Sequence, residues 1–369
     1  MPGDRMTPPI SRRAVIAAPG VLAGMRGAHA QPAATGPMAA VFARWMAAHG
    51  VTSGVVALAL EGQLVQLAGF GGADPVARMP VWSLSKFITG LAVARLAGHG
   101  RLALESMLGT LLPRRMLQGP LAALRLADLL SHRTGLARQF GGESVPGLQA
   151  LLRTARPREL SPEQLVPALL AVRPERPAGV AYEYANTNFL LAGLAVAEVA
   201  GQPYADFTAQ QVLAPLGIRR PALDPSWGVL GATGGWSLSA PEYLALLLRG
   251  ERLVPPAVAA WMRDPAGKAT AQDGPVFYSL GQLRRPVAGG QNRWHSGSWT
   301  YRWPAWEVDV SAGTFAVHAA DGATWFAAYR PHPGDAAVAA LDRALWEGRR
   351  ASAPGTALDW SRFVDPVRS

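Results

Sequence analysis

Hydrophobic positions recur first with helical spacing and then with the spacing of strands. Residues 38–49 place their large apolar side chains on one helical face and are followed by Gly50, a common helix terminator. Two apolar runs come next, residues 54–60 and 63–70, and Glu61-Gly62 joins them. This arrangement is typical of a β-hairpin. The chain is therefore expected to open with a helix and a hairpin.

The middle of the chain, from about residue 84 to 267, has a mainly helical pattern. Residues 161–164 and 239–242 both fit the capping box, in which a serine oxygen satisfies free backbone N–H groups at a helix start. Strand-like runs return after residue 274, and a closing helix is predicted at 335–347. The predicted strands are 277–284, 292–296, 314–319 and 324–329.

Strands at both ends with helices between them predict a mixed α/β fold of the α+β kind. Its antiparallel sheet would be built from both termini and flanked by helices, with a mainly helical domain inserted. The expected domains are a sheet domain from residues 31–82 plus 275–349, a helical domain at 83–274 and a C-terminal tail at 350–369.

Composition excludes several classes of protein. The chain has 369 residues, of which 49% are hydrophobic and 16% charged, so it can bury a sizeable core. It has no cysteine, which excludes disulfides, thiolate metal sites and a cysteine nucleophile. No apolar run reaches the roughly 18 residues of a membrane span. No P-loop, HExxH or GxGxxG motif is present, so no metal or organic cofactor is expected.

The net charge of +10 comes almost entirely from arginine, since Lys86 and Lys268 are the only lysines. The basic residues are spread along the chain rather than gathered into a stripe, which speaks against nucleic-acid binding.

The first thirty residues have the features of an export signal. Arg12 and Arg13 precede a short apolar stretch, and residues 28–30, Ala-His-Ala, offer a cleavage site. The arginine pair and the weak apolar stretch resemble a twin-arginine signal. We expect an exported protein, periplasmic or secreted, that is cleaved near Ala30. The alternative is an N-terminus without such a role.

Ser83 and Lys86 form the first candidate chemical cluster. On a helix, positions i and i+3 share a face, so Lys86 can reach the Ser83 hydroxyl. A serine becomes a nucleophile when a neighbour takes its proton. A buried lysine can do this, whereas an arginine cannot lose its proton. The alternative is a capping serine beside a solvated lysine.

Tyr184 and Asn186, just before an apolar helix, form the second cluster. Beside a cationic lysine a phenol can act as a base toward Ser83 and then as an acid toward the leaving group. Asn186 could cap the helix and also hold Lys86. The alternative is a packing tyrosine and a purely capping asparagine.

The third cluster lies on a predicted strand and contains His295, Gly297 and Ser298. A strand glycine lets a substrate approach the backbone closely. The backbone N–H groups of Ser298 and Ser83 could together form an oxyanion hole. The alternative for His295 is a polar residue satisfied within the fold.

In this order the three clusters resemble the serine β-lactamase and penicillin-binding-protein superfamily. The Tyr-x-Asn form of the second cluster is similar to the branch of class C β-lactamases, D-alanyl-D-alanine carboxypeptidases and family VIII esterases. Residues 129–136, Leu-Leu-Ser-His-Arg-Thr-Gly-Leu, and Gly234-Gly235 also resemble segments of that family. The resemblance runs from about residue 38 to 348 and implies a β-lactamase/transpeptidase-like fold with a cleft.

The resemblance also implies roles for the residues. Ser83 would be acylated, Lys86 would be its base partner and Tyr184 the proton shuttle, while Asn186 would position Lys86 and the substrate amide. His295 stands where many β-lactamases have lysine, a permanent cation that holds a substrate carboxylate, so efficient β-lactam hydrolysis is not expected. Trp299 begins an aromatic-rich segment, residues 299–312, that either walls an acyl pocket or packs as a flap on the sheet.

These residues predict an exported serine hydrolase that acts on a small ester, amide or peptide. The esterase and D-Ala-D-Ala carboxypeptidase types both fit. The alternatives are a true β-lactamase, or a non-catalytic module that binds peptidoglycan or a protein partner on the same scaffold.

Overall fold

A seven-stranded antiparallel sheet is built from the two ends of the chain. The computed structural model describes residues 36–138, 150–152, 154–219, 222–224, 228–272, 274–300 and 311–365. The sheet order is β2-β1-β10-β9-β8-β7-β6, and Gly54 of β1 pairs with Tyr329 of β10. The predicted sheet is confirmed. Its strands are β1 Ser53–Leu60, β2 Gln63–Phe70, β6 Phe277–Ser279, β7 Gln282–Val287, β8 Gly290–Trp299, β9 Ala312–His318 and β10 Thr324–Arg330.

A second, three-stranded sheet has the order β3-β5-β4. Its strands are β3 Met79–Pro80, β4 Ala222–Leu223 and β5 Trp236–Leu238. The helices are α1 Pro37–Ala48, α2 Ser85–Gly98, α3 Leu108–Leu111, α4 Gly119–Ala122, α5 Leu126–Leu130, α6 Pro162–Leu170, α7 Asn186–Ala200, α8 Tyr204–Thr208, α9 Gly231–Gly234, α10 Ala240–Arg249, α11 Pro256–Arg263 and α12 Asp335–Ala351.

Two-residue turns join β1 to β2 and β6 to β7 in the large sheet. Glu61 and Gly62 join β1 to β2 with φ of 50° and 75°, as the predicted hairpin requires. The prediction of one strand over residues 277–284 was wrong, because Leu280 and Gly281 turn the chain there with φ of 51° and 87°. Gly281 is a turn residue, but leucine seldom adopts a left-handed backbone, so the apolar run around Leu280 reads as a continuous strand.

Each face of the large sheet is covered by helices. On one face α1 and α12 pack together over β1, β2 and β10, and the buried rings of Phe42, Trp45 and Trp325 lie between them and the sheet. On the other face α10 packs against β1 and β10, and α2 lies in the same hydrophobic core. Both predicted capping boxes are present, at the starts of α6 and α10. The site described below lies on this second face.

The segment after α12, predicted as a tail, crosses the edge of β2. The backbone N–H of Leu358 donates to Leu64 O at 2.7 Å, and the Trp360 indole donates to Gly62 O at 2.9 Å. Val364 is buried. This segment covers the outer edge of β2 and protects that edge from pairing with another chain.

The N-terminal segment predicted as an export signal, residues 1–30, lies outside the described residues, as do residues 301–310 of the aromatic-rich segment. Within the described ranges no helix combines the length and the apolar character needed to cross a membrane.

Candidate active site

Ser83 lies on a constrained turn at the start of α2. Residues Trp82–Leu84 form a single 3-10 turn, and Trp82 has a left-handed φ of 50°. Hydrogen bonds tie the turn to β5 and α10: Val81 N–H donates to Trp236 O of β5 at 2.9 Å, and the Tyr243 hydroxyl of α10 donates to Leu84 O at 3.2 Å. The Ser83 side chain remains half-buried. The turn therefore holds the hydroxyl in one place without sealing it inside the protein.

Lys86 is fully buried, and three oxygen atoms lie within hydrogen-bond distance of its amine. Its Nζ lies 3.0 Å from Ser83 Oγ, 2.7 Å from Asn186 Oδ1 and 2.9 Å from Thr233 O. Burial lowers the pKa of Lys86 well below its ordinary value, because the charged form loses its hydration. A lysine in this position can exchange a proton with the Ser83 hydroxyl.

Tyr184 completes the contacts of Ser83. Its hydroxyl donates to Ser83 Oγ at 2.8 Å, and Lys86 Nζ lies 4.9 Å from the centre of its ring. The structure thus brings four predicted site residues from two distant segments, Ser83, Lys86, Tyr184 and Asn186, into one hydrogen-bonded group.

Thr233, in the one-turn helix α9, is a member of this group that sequence reasoning missed. Its carbonyl accepts from Lys86, and its hydroxyl donates to Asn186 Oδ1 at 2.8 Å. It immediately precedes Gly234-Gly235, which resembles a family segment and was the available signal. A backbone carbonyl acts independently of residue type, so sequence alone could not assign this contact.

Strand β8 borders the site, and its side chains alternate between buried and exposed positions. Arg293, His295, Gly297 and Trp299 are buried, whereas Ser296 and Ser298 are exposed. Gly297 packs directly on the turn that bears Ser83, since a Cβ there would lie 2.8 Å from Val81 O and 2.9 Å from Trp82 Cβ.

Trp299 stacks on Trp82, with ring centres 6.4 Å apart and an angle of 23° between the planes. This strand therefore carries the predicted residues Gly297, Ser298 and Trp299 past the turn that bears Ser83.

His295 is buried beside the group but has other partners. Its Nε2 lies 3.1 Å from the Tyr278 hydroxyl, and its Nδ1 contacts the Ser296 carbonyl oxygen. A carbonyl only accepts, so the proton sits on Nδ1 and Tyr278 donates to Nε2. Burial, with the charge of Lys86 in addition, lowers the pKa of His295 to about 3. The imidazole is therefore neutral at physiological pH, and both of its nitrogens are engaged away from Ser83.

The family model described as Beta-lactamase matches residues 38–357. The chain belongs to the β-lactamase family. Within the family it is 26% identical over 324 residues to penicillin-binding protein 4 of Amycolatopsis lactamdurans, covering 79% of this chain and 81% of that protein. It is also 26% identical over 176 residues to a D-aminopeptidase of Cereibacter sphaeroides, but this match covers 45% of the chain and only 32% of the aminopeptidase.

Solved structures of other β-lactamase-like proteins share the fold. A D-stereospecific amidohydrolase from Streptomyces superposes with a TM-score of 0.65 at 21% identity, covering 86% of this chain and 98% of that one. A class C β-lactamase from Rhodobacter sphaeroides gives a TM-score of 0.65 at 17% identity, covering 85% and 99%. Identities this low establish the architecture of the sheet and helices and leave the chemistry to be argued from the site.

Proposed function

We propose that this β-lactamase family member is a serine hydrolase that forms an acyl-enzyme on Ser83. The observation that carries the proposal is the double contact of Ser83 Oγ, with Lys86 Nζ at 3.0 Å and the Tyr184 hydroxyl at 2.8 Å. A serine held between a desolvated amine and a phenol has both a proton acceptor and a proton donor within reach, which acyl transfer requires.

The reaction follows from these contacts. Ser83 Oγ attacks the carbonyl carbon of an ester or amide, and its proton passes to the pair formed by Lys86 and Tyr184. The tetrahedral oxyanion would be held by the backbone N–H groups of Ser83 and Ser298. When the intermediate collapses, the bond to the leaving group breaks and the leaving group takes a proton from Tyr184. Water then attacks the acyl-enzyme, gives up a proton to the same pair, and Ser83 leaves reprotonated.

The neutral state of His295 supports a substrate without a recognised carboxylate. The permanent cation that many β-lactamases have at this position is missing, and the imidazole that replaces it is turned toward Tyr278 and Ser296. We therefore favour the esterase type over the D-Ala-D-Ala carboxypeptidases and the true β-lactamases, whose substrates both carry a carboxylate. Relatives named D-aminopeptidase and D-stereospecific amidohydrolase support a small amide as the other substrate class.

A covalent probe and three substrates test the proposal. The purified protein should react with a fluorophosphonate, and Ser83→Ala should lose both labelling and turnover, while the exposed Ser361→Ala keeps both. p-Nitrophenyl butyrate, a D-Ala-D-Ala peptide and a chromogenic cephalosporin are assayed in parallel, and p-nitrophenyl butyrate, which has no carboxylate, should be turned over fastest. Full labelling of the Ser83→Ala protein would refute Ser83 as the nucleophile, and binding without turnover of any substrate would favour the non-catalytic binding module.

Export is a separate part of the proposal and rests on residues 1–30 of the sequence. The mature protein should be recovered outside the cytoplasm and should begin at Gln31. Changing Arg12 and Arg13 to lysine should retain the uncleaved chain in the cytoplasm, and normal export of that variant would argue against a twin-arginine signal.

A further inference from the structure

His132 is a buried histidine that the proposed chemistry does not use. It lies in the segment 129–136, directly after α5, with a left-handed φ of 55° and a side chain closed off from solvent. A non-glycine residue in that conformation is uncommon and persists where surrounding contacts impose it.

The contacts of His132 bracket Tyr184 on both sides. The residue before the tyrosine, Glu183, donates its backbone N–H to His132 O at 2.8 Å. The residue after it, Ala185, donates its backbone N–H to His132 Nδ1 at 3.2 Å. The His132 ring also packs on the Tyr184 ring, with centres 4.4 Å apart. One side chain and its own carbonyl thus hold the backbone and the ring of the tyrosine that contacts Ser83.

A second hydrogen-bonded chain defines the protonation of the imidazole. The Thr134 hydroxyl donates to Asn188 Oδ1 at 2.7 Å, which turns the Asn188 amide nitrogen toward His132 Nδ1 at 2.9 Å. Nδ1 therefore accepts from two N–H groups and carries no proton, so a neutral ring has its proton on Nε2.

The charged and aromatic groups around His132 favour its neutral form. The facing titratable groups are Tyr182 and Tyr184 from the segment before α7, Tyr278 of β6, Lys86 of α2 and His295 of β8. Burial, and then the positive charge of Lys86, lower the pKa of His132 well below its ordinary value. Nε2 has no hydrogen-bond partner among the residues that the structure describes, so the specific bonds of the side chain are all on the Nδ1 edge, toward Tyr184.

We propose that His132 is a positioning residue for Tyr184, holding the phenol at Ser83 through the backbone N–H groups of both neighbours of the tyrosine. This inference rests on the proposed role of Tyr184 in the serine hydrolase. It predicts that removing the Nδ1 acceptor impairs the chemical step, kcat, more than the binding of substrate.

Two substitutions separate positioning from general structure. His132→Leu introduces an apolar side chain of similar size and removes the hydrogen-bond acceptor. We expect kcat to fall at least tenfold, with KM changed by less than threefold. His132→Asn keeps an oxygen near the Nδ1 position and tolerates the left-handed backbone, so kcat should stay within about threefold of wild type.

The decisive comparison is made in a Tyr184→Phe background. If His132 acts through the Tyr184 hydroxyl, His132→Leu should cause no further loss there, since contacting residues that act together are not additive. An equal fold-loss in both backgrounds, or wild-type kcat in His132→Leu, would overturn the inference. Ser83→Ala separates the two proposals: if it still turns over substrate, the hydrolase proposal itself fails.

A spectroscopic measurement covers the case in which His132→Leu does not fold. In the wild-type protein with 15N-labelled histidine, NMR should show His132 as the neutral tautomer with a hydrogen-bonded, unprotonated Nδ1. A proton on Nδ1 of His132 at neutral pH would contradict the hydrogen bond that Nδ1 accepts from the backbone N–H of Ala185.

Discussion

The amine of Lys86 lies 2.7 Å from the side-chain oxygen of Asn186, a residue one hundred positions away along the chain. None of the described carboxylates forms an ion pair with this buried amine; its acceptors are an amide, a hydroxyl and a backbone carbonyl. Neutral acceptors orient the amine without stabilising its charge as strongly as a carboxylate would. The amine is therefore held in place while burial keeps its pKa low, as the proposed role of a base requires.

Lys86→Arg should nearly abolish turnover. Arginine cannot release a proton at any pH of interest, and its guanidinium does not fit three acceptors arranged for one nitrogen. We expect kcat for p-nitrophenyl butyrate to fall by roughly 10²–10⁴-fold, the usual contribution of a general base. Lys268→Arg is the matched control, because the other lysine of the chain packs on the Trp261 ring instead. Activity of Lys86→Arg within tenfold of the control would exclude Lys86 as the base.

Thr233→Val should weaken catalysis through Asn186. The substitution keeps the carbonyl that accepts from Lys86 but removes the hydroxyl that donates to Asn186 Oδ1 at 2.8 Å. Loss of one such hydrogen bond costs about 1 kcal/mol, or roughly fivefold in kcat/KM. Thr233→Ser restores a hydroxyl and should return to within about twofold of wild type. Equal rates for the valine and serine variants would show that the hydroxyl has no role.

Gly297→Ala should push β8 away from the turn that bears Ser83. The new Cβ would lie 2.6 Å from Thr314 Oγ1 and 2.8 Å from Val81 O, distances at which strand or turn must shift. Overpacking of this kind costs about 1–3 kcal/mol, and we expect a large loss of kcat/KM with the fold retained. Gly98→Ala is the control, since its Cβ would meet ordinary contacts at 3.8 Å. Thermal unfolding and the rate of ester hydrolysis are measured for both variants. Equal activity of Gly297→Ala and Gly98→Ala would contradict tight packing at Gly297.

Mild acid should destabilise the protein through its buried histidines. The pKa values of His132 and His295 are lowered in the folded chain, that of His295 to about 3, whereas an unfolded histidine titrates near 6.5. Below about pH 6.5 the unfolded chain therefore binds more protons than the folded one. Each of these histidines then lowers the free energy of unfolding by up to about 1.4 kcal/mol per pH unit, and for His295 this continues down to about pH 3.

Urea unfolding at pH 7.5, 6 and 5 measures this loss. His295→Gln removes one of the titrating groups, so its free energy of unfolding should fall less steeply between pH 6.5 and 5 than that of the wild type. Parallel curves for the two proteins would show that His295 is not held neutral by burial.

Local sequence patterns determined much of the secondary structure and part of the candidate site. The 3-10 turn that bears Ser83 continues into the helix at residues 85–98, and this helical path brings Lys86 within 3.0 Å of Ser83, because groups three positions apart share a helical face. Alternating burial along β8 and both capping boxes also follow from short-range rules, and the order of the three clusters was sufficient to indicate the family. These features depend on short segments of the chain and on the order of those segments, which a sequence displays directly.

Tertiary structure alone decided the rest. The Thr233 carbonyl reaches Lys86, and the carbonyl and ring of His132 bracket Tyr184, because distant segments meet at distances that no spacing encodes. Burial made His295 a neutral residue bonded to Tyr278, and packing imposed the left-handed turn at Leu280. Backbone acceptors, desolvation and imposed dihedral angles arise from the assembled fold, so residue types by themselves do not reveal them.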